Sequence, residues 1–272
     1  MLSNKRKDSQ RSINATPPFT WTAAQVDDLR AASARDDAEA LATLATLYRD
    51  GVAGRAGTWI VRRSARAERT CLERAAKLGD ASAMSELADM LVDKQDLGAS
   101  TFRRAMRLYR RAFAGGYAVA AFNLARTYQA CGRYRDAVRW FRTASAAGVE
   151  GAALEVARAE LLGMGTRRDI SAALQKLRAT AQSSVRYYPA ESGDNVEAML
   201  LIAETYTSGW LVRRDVREAR RWLRLAAKRG SLVAKGLLQN SETPVYYFQV
   251  DMAPAHPRRK RSRRPRAARD EP

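Results

Sequence analysis

The chain has 272 residues and is 46% hydrophobic but only 8% aromatic, so any core must be built largely from Ala and Leu. Ala is the strongest helix former and lets helices approach closely, which points to an all-α protein. The net charge of +19, from 48 Lys and Arg against 29 Asp and Glu, favours anionic partners, while a single histidine, His256, leaves nothing for His-based catalysis or His-containing zinc sites before the C-terminal tail.

Residues 1–20 carry Lys5, Arg6, Lys7 and Arg11 against Asp8, with no apolar stretch after them. They read as a disordered basic arm and not as a secretory signal. Residues 21–35 predict a capping helix, opened by a Thr22–Gln25 capping box. From residue 38 the chain repeats itself. Ala40, Leu44, Ala45 and Tyr48 have spacings of four, one and three, which place them on one face of a helix. The same pattern returns as Ala83, Leu87, Ala88, Leu91, as Ala120, Leu124, Ala125, Tyr128, and as Ala198, Ile202, Ala203, Tyr206. A weaker copy is Ala152, Val156, Ala157, Glu160.

A second apolar stripe follows each of these, as in Ala105, Leu108, Tyr109, Ala112, Gly116 and in Ala219, Trp222, Leu223, Ala226, Gly230. Its terminal glycine suits the left-handed residue that ends a helix. The copy after Cys71 ends at Gly79 and the copy after Ala137 ends at Gly148, whereas Ala173, Leu177, Ala181, Ser184 lacks the glycine. Each repeat is thus helix, loop, helix, stop. One hairpin cannot bury its apolar stripe alone, so stacking is expected to give an α-solenoid of about five antiparallel helix pairs over residues 38–240.

The inter-helix loops are the irregular part. Loop 51–66 holds Trp59-Ile60-Val61, expected to tuck back on the array or else to meet a partner. An insertion at 182–195 is a candidate functional loop. Residues 241–252 include Val245-Tyr246-Tyr247-Phe248, an apolar segment that could cap the array or serve as a linear motif. Residues 253–272 form an Arg/Pro-rich tail with Arg258, Arg259, Lys260, Arg261, Arg263, Arg264, Arg266 and Arg269, expected to be disordered. Cys71 and Cys131 have no metal or redox spacing and read as small core residues, consistent with a reducing, cytoplasmic setting. In a eukaryotic cell the tail would read as nuclear import. No apolar run is long enough to span a membrane.

These stripes resemble the Sel1-like repeat family, relatives of tetratricopeptide repeats. Gly163-Met164-Gly165-Thr166-Arg167-Arg168-Asp169 and Gly209-Trp210-Leu211-Val212-Arg213-Arg214-Asp215 look like the family's inter-helix loop. The resemblance implies that first helices line a concave face. Residues beside the packing stripe there are Asp89, Asn123, Arg126, Glu155, Arg158 and Glu204, the candidate partner-binding set. Their mixed signs suit a polypeptide better than a nucleic-acid backbone. The expected function is a non-catalytic scaffold or adaptor without cofactor or metal. The alternatives are a nucleic-acid-associated protein acting through its basic tails and an enzyme of unknown type.

Overall fold

A computed structural model of the chain describes residues 21–54, 58–92, 98–182 and 193–239. The described residues fall into two compact units, Met1–Ala173 and Leu174–Pro272. The basic arm 1–20, most of the insertion (183–192), the 241–252 segment and the Arg/Pro-rich tail lie outside the described residues, and with them His256 and all eight tail cations.

The first unit begins with α1 (Ala23–Ala34), whose start is the expected capping box: the Thr22 side chain accepts from the Gln25 amide and the Gln25 side chain accepts from the Thr22 amide. Three helical hairpins follow. α2 (Ala38–Asp50) pairs with α3 (Ala65–Leu78), α4 (Ala81–Val92) with α5 (Ala99–Ala114), and α6 (Val119–Ala130) with α7 (Tyr134–Ala146). α8 (Ala152–Leu162) packs on α7. The punctuation is local chemistry. At the end of α3, Gly79 adopts φ 102°, and its amide closes onto the Ala75 and Ala76 carbonyls. Asp80 then accepts from the Ala83 amide at 2.6 Å and opens α4.

Contacts between side chains show that the helices form two layers. Arg49 of α2 reaches Glu86 of α4 at 2.8 Å, and Asn123 of α6 reaches Asp89 of α4 at 3.2 Å, so first helices lie beside first helices. Arg104 of α5 meets Glu73 of α3 at 3.5 Å, and Phe113 of α5 packs edge-on against Trp140 of α7, so second helices do the same. Among the described residues, the main core between the layers contains 21 buried residues, ten of them alanines. Helix spacing is therefore set largely by backbone approach, with Leu72, Leu124, Tyr109 and Phe141 as the large fully buried fillers.

Loop 51–66 contains a small antiparallel hairpin that the repeat pattern does not predict, with β1 (Val52–Ala53) against β2 (Trp59–Val61). Burial deepens along β2: Trp59 is 52% exposed, whereas Val61 is buried beside Val26 and Leu44, so the loop tucks in at one end only. Cys71 is half-buried in α3 as a packing residue, but Cys131 is exposed at the end of α6. The expectation of a core residue fails there because the helix ends one residue earlier, at Ala130.

α9 (Ile170–Gln182) runs across the boundary between the units. In the second unit, α10 (Asp194–Ser208) forms a hairpin with α11 (Val216–Lys228), opened by Asp215 accepting from the Arg217 and Glu218 amides. A further helix, α12 (Leu232–Gln239), packs on α11.

Candidate functional site

Five of the six residues expected to face a partner lie in the first unit. Glu204 lies on α10 in the second unit, half-buried. Asp89 and Asn123, which the sequence placed in different repeats, are in direct contact: the Asn123 carboxamide donates to one Asp89 oxygen at 3.2 Å. The other Asp89 oxygen accepts from the Tyr109 hydroxyl at 2.6 Å. Tyr109 stands on α5, and its ring is fully buried, so its hydroxyl crosses from the second layer to the first. The sequence showed Tyr109 only as a packing residue. The polar tip, in a stripe position where Leu or Phe would fill the same volume, was the one available signal.

Burial pushes the Asp89 carboxyl above the ordinary carboxylate range, against the opposing pull of the Tyr109 and Asn123 hydrogen bonds and the charge of Arg126. Burial and the facing carboxylate likewise push the Tyr109 hydroxyl far above its usual range, so it remains a donor. The neutral form of Asp89 is thus favoured by folding. Its contribution to stability is complete below the ordinary carboxylate value and is lost as pH rises through the raised folded value. Asp89→Asn keeps an acceptor for Tyr109 and removes the charge. Urea melts between pH ~4 and 7.5 should show wild-type stability falling with pH relative to Asp89→Asn. Equal slopes for the two proteins would show that Asp89 does not titrate in this way.

Beside this network, Arg126 is exposed, and among the described residues its guanidinium makes no hydrogen bond or ion pair. Its nearest influence is the charge it exerts on Asp89 and Tyr109. On α8, Arg158 donates to Glu155 at 3.2 Å, and both side chains are largely covered. This pair borders a crevice between α6, α7 and α8, with Gln129, Tyr134, Phe141 and Met164 among its walls. The cavity volume is about 20 Å³, enough for one water-sized group. Small-molecule sites are of the order of hundreds of Å³. The crevice fits the tip of a side chain better than a substrate.

Sequence reasoning also missed Arg49. It directly follows Tyr48, the last residue of the α2 stripe, and donates to Glu86 at 2.8 Å, extending the polar line of the first helices. Burial works against its charge, but Glu86 and Asp50 outweigh burial and raise its pKa. Glu68 of α3 lies close by and is buried, which raises its carboxyl despite Arg49. Among the described residues, no cluster of His, Cys, Asp and Glu is arranged to hold a metal ion, and no helix is long and apolar enough to cross a membrane.

The loop that closes this region is set by Gly165. It has φ 73°, and its α-carbon lies against the Tyr134–Arg135 peptide at the start of α7, so close that an added Cβ would overlap backbone atoms. The loop chain can therefore pass here only without a side chain.

The Sel1 repeat family model matches residues 81–117, 118–149 and 196–231. No curated protein matches in sequence. Among solved structures, a Sel1 repeat protein from Oxalobacter formigenes superposes with a TM-score of 0.59 at 21% identity, over 79% of this chain and 82% of that one. A protective antigen from uropathogenic Escherichia coli strains, displaying an SLR fold, gives a TM-score of 0.43 at 21% identity, over 80% of this chain and 51% of that one. The Oxalobacter structure has the same kind of fold.

Proposed function

We propose that this chain, three segments of which match the Sel1 repeat model, is a non-catalytic scaffold or adaptor that holds a polypeptide partner on the first helices of its first unit. The observation that carries the reading is the conjunction of exposed Arg126 with the Glu155–Arg158 pair at the crevice. Arg126 offers an uncommitted guanidinium fork for a carboxylate or backbone carbonyl. The crevice takes one small side-chain tip. Asp89 and Asn123 already satisfy each other and support this surface from behind. An extended peptide presents an acidic group and a small side chain at intervals suited to such a strip, and mixed signs select register more than they add affinity. The six candidate residues are thus divided: Arg126, Glu155 and Arg158 are assigned to contact, and Asp89 and Asn123 to support. Glu204, on α10 of the second unit, is not assigned to this surface.

The test is affinity capture with the full chain, identification of the partner, and titration of that partner against Arg126→Glu combined with Arg158→Glu. Helical content should be unchanged, and affinity should fall at least tenfold, about 1.4 kcal/mol. A partner that binds the double variant as tightly as the parent does not use these helices.

A further inference from the structure

The charge of the first unit is divided between its two layers. The first helices α2, α4, α6 and α8 hold six acidic residues and three arginines. The second helices α3, α5 and α7 hold twelve basic residues and three acidic ones. A basic composition alone would spread the excess over both layers. α5 is the extreme case, with Arg103, Arg104, Arg107, Arg110 and Arg111 and no acidic residue. At about 100° per residue, all five fall within roughly a third of the helix circumference. The opposite side carries the buried stripe of Ala105, Met106, Tyr109 and Ala112.

Two of the five are engaged inside the molecule: Arg104 meets Glu73 at 3.5 Å, and Arg110 donates to the Tyr128 hydroxyl at 2.8 Å. The other three, Arg103, Arg107 and Arg111, are exposed, and among the described residues their guanidiniums make no hydrogen bond or ion pair. They recur every fourth residue and so form one row along the axis with steps of about 6 Å. α3 and α7 flank the row, adding exposed Arg66 and Lys77 on one side and Arg135 and Arg139 on the other.

We propose that this ridge binds nucleic acid through its phosphate backbone, without sequence preference. Guanidinium forks match phosphate geometry, and charge neutralisation alone supplies non-specific affinity. The competing polyanions fit less well. A lipid surface is held by apolar side chains entering the headgroup region together with basic ones. None of the large exposed hydrophobic residues among those described lies on α5. A protein interface needs central aromatic or aliphatic anchors, whereas the exposed Leu78 and Tyr134 stand at the ends of the flanking helices α3 and α7. A phosphate polymer needs only the charges and their spacing.

The experiment measures anisotropy of a labelled 24-base-pair duplex with the full chain over a salt series from ~50 mM. Four full-length proteins are compared: wild type, Arg103→Gln/Arg107→Gln/Arg111→Gln, the same three sites changed to Lys, and a variant with the eight basic tail residues 258–269 changed to Gln. The triple Gln variant should melt as the wild type does, lose at least tenfold affinity at ~100 mM salt, and flatten the log–log salt slope by two to three units. The triple Lys variant should keep most of both, and a duplex of shuffled sequence should bind equally. The proposal is overturned if the triple Gln variant binds like wild type and only the tail variant is weakened. It is equally overturned if the duplex does not bind at ~50 mM salt, or if phosphatidylserine vesicles or polyglutamate displace the duplex at matched charge.

Discussion

Gly165→Ala should cost on the order of 3 kcal/mol or more and lower the melting temperature of the first unit by roughly 10 °C. Two effects combine. With φ 73° the residue sits in left-handed backbone, which costs an L-residue roughly 1–2 kcal/mol. The new methyl would also overlap the Tyr134–Arg135 peptide, and backbone at a helix start cannot swing aside as a side-chain end can. Gly79→Ala is the internal comparison. Its φ is 102°, but nothing lies within 4 Å of the added Cβ, so only the conformational cost remains. Differential scanning calorimetry on both variants separates the two effects. Equal losses at the two positions would show that the loop at 163–169 relaxes freely and does not fix the mouth of the crevice.

Phe141→Ala should be comparably severe, at about 3–5 kcal/mol. Phe141 is 2% exposed on α7, with its ring edge-on to Phe122 of α6 at 5.4 Å between centroids. Truncation removes apolar burial and an aromatic pair, and the alanine-lined helices around it are already near their closest approach and cannot collapse into the void. Phe141→Leu should recover more than half of the loss. Because Phe141 also walls the crevice, the Ala variant should deepen that cavity. Denaturant unfolding followed by circular dichroism measures the energy. An alanine variant within 1 kcal/mol of wild type would mean that α6 and α7 close the gap, contrary to the rigid spacing described above.

The repeat spacing made the helices legible because packing dictates it. Ala120, Leu124, Ala125 and Tyr128 had to share a face, and all four are buried on α6. The capping box at Thr22 and the stop at Gly79 were legible for the same reason: both are short-range chemistry, complete within a few residues. What escaped depended on contacts between repeats. The Tyr109 hydroxyl meets Asp89 across 20 positions and Arg49 meets Glu86 across 37, and no local pattern encodes such pairings. Asp89 and Asn123 lie on first helices as the repeat spacing placed them, but the hydrogen bond between them, across 34 positions, could not be read from either repeat alone. The hairpin at 52–61 was hidden by its brevity. Two and three residues are too few for alternation to register as strand. The arginine row of α5 was in plain view as a composition, but its meaning depended on learning that α3, α5 and α7 lie side by side.

An interior filled with alanine also sets the terms on which such a protein can change. Ala105, Ala112, Ala120 and Ala125 are completely enclosed, so any larger side chain there would prise two backbones apart. Outward positions carry no such restriction. A few methyl-sized sites therefore hold the architecture in place, while the outward residues are free to be rewritten. The surface of either layer can be exchanged without redesigning the frame beneath it.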